Sequence, residues 1–194
     1  MTRPAPAAED PRVTRSKAAV IEAALALIAE RGVAMTTVDE ISERSGVAKT
    51  TIYRHWNSKP DVVLDAISPQ LEPPPVPDTG ELRQDLYQLV EGLAWALTDS
   101  PLAPLMSSLI DAAERDHEFA ALHRRHVRER HDVVRCVLRR GIARGELPGD
   151  ADLDAVLDVL AGPVFYRRLV SQGSVDVAFC RWVVDVLLRG LHEH

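Results

Sequence analysis

The stretch from Thr36 to Lys59 constrains the fold more tightly than any other part of this chain. It reads T-T-V-D-E-I-S-E-R-S-G-V-A-K-T-T-I-Y-R-H-W-N-S-K. Thr37 is a good helix N-cap, and Glu40 stands three residues on, where its carboxylate can return to the Thr37 N–H as a capping box. Val38 and Ile41 begin an apolar stripe. Gly46 stops that helix, because left-handed backbone costs least at glycine. A second helix is predicted from about Ala48 to Trp56. At about 100° per residue, Ile52 and Trp56 turn inward, while Thr50, Thr51 and Arg54 turn outward. Tyr53 and His55 flank the outer face. Ser58 caps a third helix, with Pro60 in its first turn, where a missing N–H costs little.

A short helix with hydroxyls and a guanidinium along its crest suits a DNA major groove. Arg can read guanine O6 and N7, and Thr can meet a thymine methyl or a base edge. Tyr and His at the edges are placed for the phosphate walls. Lys59 adds a cation at a helix N-terminus whose N–H groups already favour phosphate. The alternative is an ordinary helical hairpin with a solvated polar face. The coincidence of cap, glycine, polar crest and lysine favours a helix-turn-helix. Charge distribution agrees. The chain holds 23 Lys and Arg against 29 Asp and Glu, yet residues 12 to 59 hold eight against five. A duplex-facing surface therefore belongs near the N-terminus, with the acidic remainder kept off the phosphates.

The 194 residues are 46% hydrophobic and only 5% aromatic, so an aliphatic core is expected. No segment alternates as a strand does, and an all-α fold is predicted. Residues 1 to 13 read as a flexible Pro/Ala-rich arm, with Arg3 and Arg12 as candidates for the minor groove. A first helix spans about Thr14 to Arg31, stopped by Gly32, with Ile21, Ala24, Leu25 and Ile28 facing the hairpin. It completes a DNA-binding domain over residues 14 to 68. The helix after Ser58 should end before Pro69. The run E-P-P-P-V-P-D-T-G makes residues 69 to 80 a stiff spacer. Residues 81 to 194 form a second helical domain. Its helices are predicted near 81–98, 105–114, 118–144, 152–171 and 175–191, with a kink at Gly162 and Pro163.

Cys136 and Cys180 both lie in apolar-periodic segments and read as buried free thiols. No apolar run approaches the roughly 20 residues of a membrane span, and the N-terminus lacks a signal-peptide core. A cytoplasmic protein with no membrane association is expected. His123 and His126 could share a metal, but His131 points elsewhere and no third ligand matches, so neither metal nor cofactor is expected. Nucleophile elbows, phosphate loops and nucleotide-binding glycine turns are missing, which argues against an enzyme.

The last two helices are apolar on more than one face. Leu157, Leu160, Val164, Val183, Leu187 and Leu191 are therefore candidates for a dimer interface, as a four-helix bundle built from two chains. A helix-turn-helix reader gains affinity by placing two copies one helical turn apart.

The stretch Thr36 to Lys59, with the helices around it, resembles the TetR family of bacterial transcriptional regulators over about Thr14 to Ile67. The resemblance implies a homodimer that binds a palindromic operator on double-stranded DNA, most often as a repressor, and is released when a small-molecule effector enters the C-terminal domain. It places Thr37, Lys49, Thr50 and Thr51 among the DNA contacts, and Tyr53, His55 and Lys59 among the phosphate contacts. Arg54 stands where specificity varies. Ala48 departs from the Ser that often caps the recognition helix, so full ordering of that helix is expected only on DNA. Trp95, Met106, Phe119, His123, Phe165 and Tyr166 are candidates for lining the effector cavity, with Tyr166 foremost because a buried hydroxyl seeks a partner. A constitutive DNA binder without an effector is the remaining alternative.

Overall fold

The computed structural model describes residues 11–71 and 74–192. Among them every regular element is a helix, and no helix is long and apolar enough to cross a membrane. Helix α1 runs Pro11–Met35, with proline at its first position. It starts three residues before the predicted Thr14, so Arg12 lies in a helix and not in a loose arm; Arg3 falls outside the described residues. Val20, Ala24, Leu27 and Ile28 face inward. Ile21 and Leu25 pack beside them, half-buried.

Gly32 breaks α1 as expected, at φ 83° and ψ 166°. That conformation is essentially confined to glycine. A Cβ there would also stand 2.9 Å from Ser108 Oγ. Gly32→Ala is expected to cost about 1–3 kcal/mol of stability, read as a lower denaturant midpoint; an unchanged midpoint would contradict the strained geometry.

Helix α2 (Val38–Ser45) begins with the predicted capping box. The Glu40 N–H donates to Thr37 Oγ1 at 3.3 Å and the Thr37 N–H donates to Glu40 Oε2 at 3.0 Å. Gly46 ends it in left-handed backbone at φ 69°. The Ser42 hydroxyl then donates to the Val47 carbonyl at 2.8 Å and closes the turn. Helix α3 (Lys49–His55) follows, and its N-cap Ala48 supplies no side-chain bond. Helix α4 (Lys59–Leu71) is capped by Ser58, which accepts from the Asp61 N–H at 3.3 Å. It runs past Pro69, contrary to the predicted stop. Proline has no N–H for the Asp65 carbonyl, and the Ser68 hydroxyl donates to that carbonyl at 3.0 Å.

The second module holds α5 (Leu82–Thr98), a 3₁₀ turn at Ala103–Leu105, α6 (Met106–Arg115), α7 (His117–Ala143), α8 (Leu153–Phe165) and α9 (Val177–His192). Pro163 lies inside α8, and the backbone widens into a π-turn at Tyr166–Val170. The non-helical segment 74–80 is tied down. The fully buried Asp85 accepts from both the N–H and the hydroxyl of Thr79 at 2.8 Å, and Arg140 pairs with Asp78 at 2.9 Å. Cys180 is buried, which pushes its thiol pKa up, but Cys136 is exposed and corrects the expectation of two buried thiols.

Three apolar clusters form the interior. One lies within α1 to α4, around Ile41, Ile52 and Trp56. A larger one fills the C-terminal module. The third straddles the two: Ile28, Val33, Val63 and Ile67 pack with Leu102, Leu105, Leu109, Ala112 and Phe119. The modules therefore share a core.

Candidate nucleic-acid interface

Helix α3 is seated by Ile52, which is fully buried, and by Trp56, whose Nε1–H donates to Asp65 Oδ2 at 2.9 Å. Its opposite side carries Thr50, Tyr53 and Arg54, all exposed. Among the described residues no partner occupies the Arg54 guanidinium. Thr51 is half-buried and stands lower than the predicted crest.

The flanking candidates are held by the protein to different degrees. Lys49 is paired with Asp39 of α2 across an exposed gap. Such pairs contribute about 0–1 kcal/mol, so releasing Lys49 to a phosphate costs little. The Thr37 hydroxyl is engaged in its own capping box and retains one lone pair for an outside donor. His55 meets Trp56 edge-on, with ring centroids 5.8 Å apart. Its Nε2 is enclosed without a hydrogen-bond partner, so a phosphate contact through that nitrogen requires the ring to turn. Lys59 is half-buried, and its Nζ donates to the Val33 carbonyl at 3.2 Å. Ion pairs from Arg31 to Glu40 and from Arg44 to Glu30 hold α2 against α1, and the bond from Arg44 keeps the Glu30 carboxyl below its ordinary pKa.

The candidates in the second module do not gather into one cavity. Trp95 and Tyr166 are 57% and 61% exposed, so neither is the enclosed lining residue expected from its type. Phe119 is 2% exposed and belongs to the core shared by the modules. His123 stacks on it with centroids 6.5 Å apart, and burial pushes the imidazole pKa down. Met106 and Phe165 pack half-buried against the larger core. The His126 side chain lies outside the described residues.

The dimer candidates also need correction. Leu160, Val164, Val183 and Leu187 are buried in the chain's own core and Leu191 packs against it, while Leu157 is also buried within the chain. Helices α5 and α7 lie against α8, and α5 against α9, so those faces are already covered. The large apolar side chains left in water on these helices and the turn between them are Val159, Tyr166, Val170, Val177, Trp182 and Val186.

Sequence spacing gave no sign of two hydrogen bonds that cross between the modules. The Val33 N–H donates to Ser108 Oγ at 2.7 Å, and the Ser58 hydroxyl donates to Glu118 Oε1 at 3.1 Å. A cleft of about 220 Å³ lies beside them, lined by Val33, Lys59, Arg115 and Phe119 among others. The break at Gly32 and the Ser58 cap were visible locally; the bonding partners, 75 positions from Val33 and 60 from Ser58, were not.

Two family models match the chain. Residues 20–66 match "Bacterial regulatory proteins, tetR family", and residues 76–187 match "Tetracyclin repressor-like, C-terminal domain". The chain is 34% identical over 183 residues to the HTH-type transcriptional regulator YdeS of Bacillus subtilis, covering 93% of this chain and 92% of YdeS. It is 33% identical over 180 residues to the DNA-binding transcriptional repressor TetR of Mycobacteroides abscessus, covering 90% of this chain and 93% of the relative. The crystal structure of the TetR family transcription regulator SCO0332 superposes with a TM-score of 0.67 at 31% identity, over 91% of this chain and 98% of that one. A fold of two helical modules, an outward-facing α3 crest and matches spanning both modules together show that the chain belongs to the TetR family of DNA-binding transcriptional regulators.

Proposed function

We propose that the protein acts as a homodimeric repressor of a palindromic operator and is released by a small molecule bound in its C-terminal module. The observation that carries the DNA-reading part is the division of α3. Ile52 and Trp56 anchor it, while Thr50, Tyr53 and Arg54 stand free in solvent. Arg54 reads a base edge, and Lys49, Tyr53, His55 and Lys59 bind phosphates. The exposed apolar side chains Val159, Tyr166, Trp182 and Val186 on the last helices support pairing of two copies. The shared core supports effector control, because a ligand favouring one arrangement of the C-terminal module shifts the population of recognition-helix spacings.

Selection of bound fragments from random duplex DNA tests the reading. A palindrome with half-sites about one helical turn apart is the expected result, and an asymmetric single site would overturn the dimeric mode. Within the selected operator, Arg54→Ala is expected to cost about 1–3 kcal/mol and to relax preference at one base pair per half-site. A loss spread evenly over all sequences would move Arg54 to the phosphates.

A further inference from the structure

Three parts of the molecule meet at the break in α1. The Val33 N–H donates to Ser108 Oγ of α6 at 2.7 Å, and the Val33 carbonyl accepts from Lys59 Nζ of α4 at 3.2 Å. The fully buried Thr36 donates its hydroxyl to the Gly32 carbonyl at 2.9 Å, which pins the segment from the other side. A single residue therefore stands between a serine of the C-terminal module and the lysine at the head of α4.

We infer that Ser108 is a positioning residue for DNA binding: it fixes Val33, whose carbonyl holds the Lys59 ammonium ready for an operator phosphate. The inference rests on the phosphate-binding role proposed for Lys59. A lysine side chain loses rotamer freedom when it grips a phosphate. Lys59 has surrendered part of that freedom to Val33 already, and two of its three N–H donors remain for phosphate oxygens. Val33 is buried, so its N–H needs an acceptor, and Ser108 supplies it. The Ser58–Glu118 bond reaches the same end of α4 through the cap and leaves the ammonium alone. Any displacement of α6 that draws Ser108 from Val33 loosens the lysine, which gives the C-terminal module a direct hold on one phosphate contact.

Operator binding by the full-length protein is measured as a function of salt for the parent, Lys59→Gln, Ser108→Ala and the double variant. Lys59→Gln lowers affinity and reduces the salt slope by about 2, one phosphate contact in each half-site of the dimer-bound operator. Ser108→Ala raises Kd by about three- to tenfold, the size of one modest hydrogen bond, and moves the slope toward that of Lys59→Gln. The double variant binds no more weakly than Lys59→Gln alone. If Lys59→Gln leaves both affinity and slope untouched, the phosphate role fails and the inference with it. If Lys59→Gln acts but Ser108→Ala does not, or if the Ser108→Ala loss persists in full on top of Lys59→Gln, the positioning role alone is overturned. A general loss of folding would appear as that persistent loss.

Discussion

Replacing Trp182 and Val186 together by glutamate is expected to leave a folded monomer whose operator affinity is lower by about 10²–10⁴-fold. Both residues are exposed, at 56% and 42%, so the charges cost the isolated chain little. They lie one turn apart on α9, and Val159, Tyr166 and Val170 are exposed as well on α8 and the π-turn that precede it. Pressed against a second copy, four carboxylates would be desolvated in an apolar seam, and that cost far exceeds any polar contact available there. The large loss on DNA follows because one half-site no longer holds its partner close to the other. Sedimentation in the absence of DNA gives the assembly state, and titration of a two-half-site duplex gives the affinity. A double variant that stays dimeric would show that the pairing face lies elsewhere. The same substitution at Leu160 or Val183 is a different experiment, because those side chains belong to the core and the chain would unfold.

Phe119→Ala is expected to lower stability by about 3–5 kcal/mol. Among the described residues Phe119 is the largest of the fully enclosed side chains, and it belongs to the cluster that spans the two modules. Its loss leaves a void bordered by both modules. Denaturant unfolding measures the change as a lower midpoint. At moderate denaturant the N-terminal helices should lose protection from amide exchange first, because they keep only their own small cluster around Ile41 and Ile52. A drop below about 1 kcal/mol would mean that the surrounding side chains collapse into the space.

The readable parts of this structure were those fixed by neighbours in sequence. The Thr37–Glu40 box, the left-handed Gly46 and the inward Ile52 and Trp56 each depend on residues within a few positions. The same holds for the break at Gly32. Periodicity also showed which positions of α8 and α9 share a face. It could not show what covers that face, and so Leu157 and Leu160 were assigned to a partner when α5 and α7 already lie against α8. Residue type misled in the same way at Tyr166 and Trp95, whose rings lie in water. The contact between Val33 and Ser108 spans 75 positions, and no spacing rule pairs them. Helix α4 outlasted Pro69 because Ser68 replaced the missing donor, a compensation that depends on a side-chain rotamer.

The burial of Asp85 has a mechanical consequence. Its carboxylate moors Thr79 by two hydrogen bonds at the point where the chain enters α5. A tether fastened this close to its module has little slack to absorb a tilt. Movement in the C-terminal helices must therefore reach α3 as displacement of a stiff body, and lengthening the strap between the modules would weaken that coupling less than cutting the mooring at Asp85.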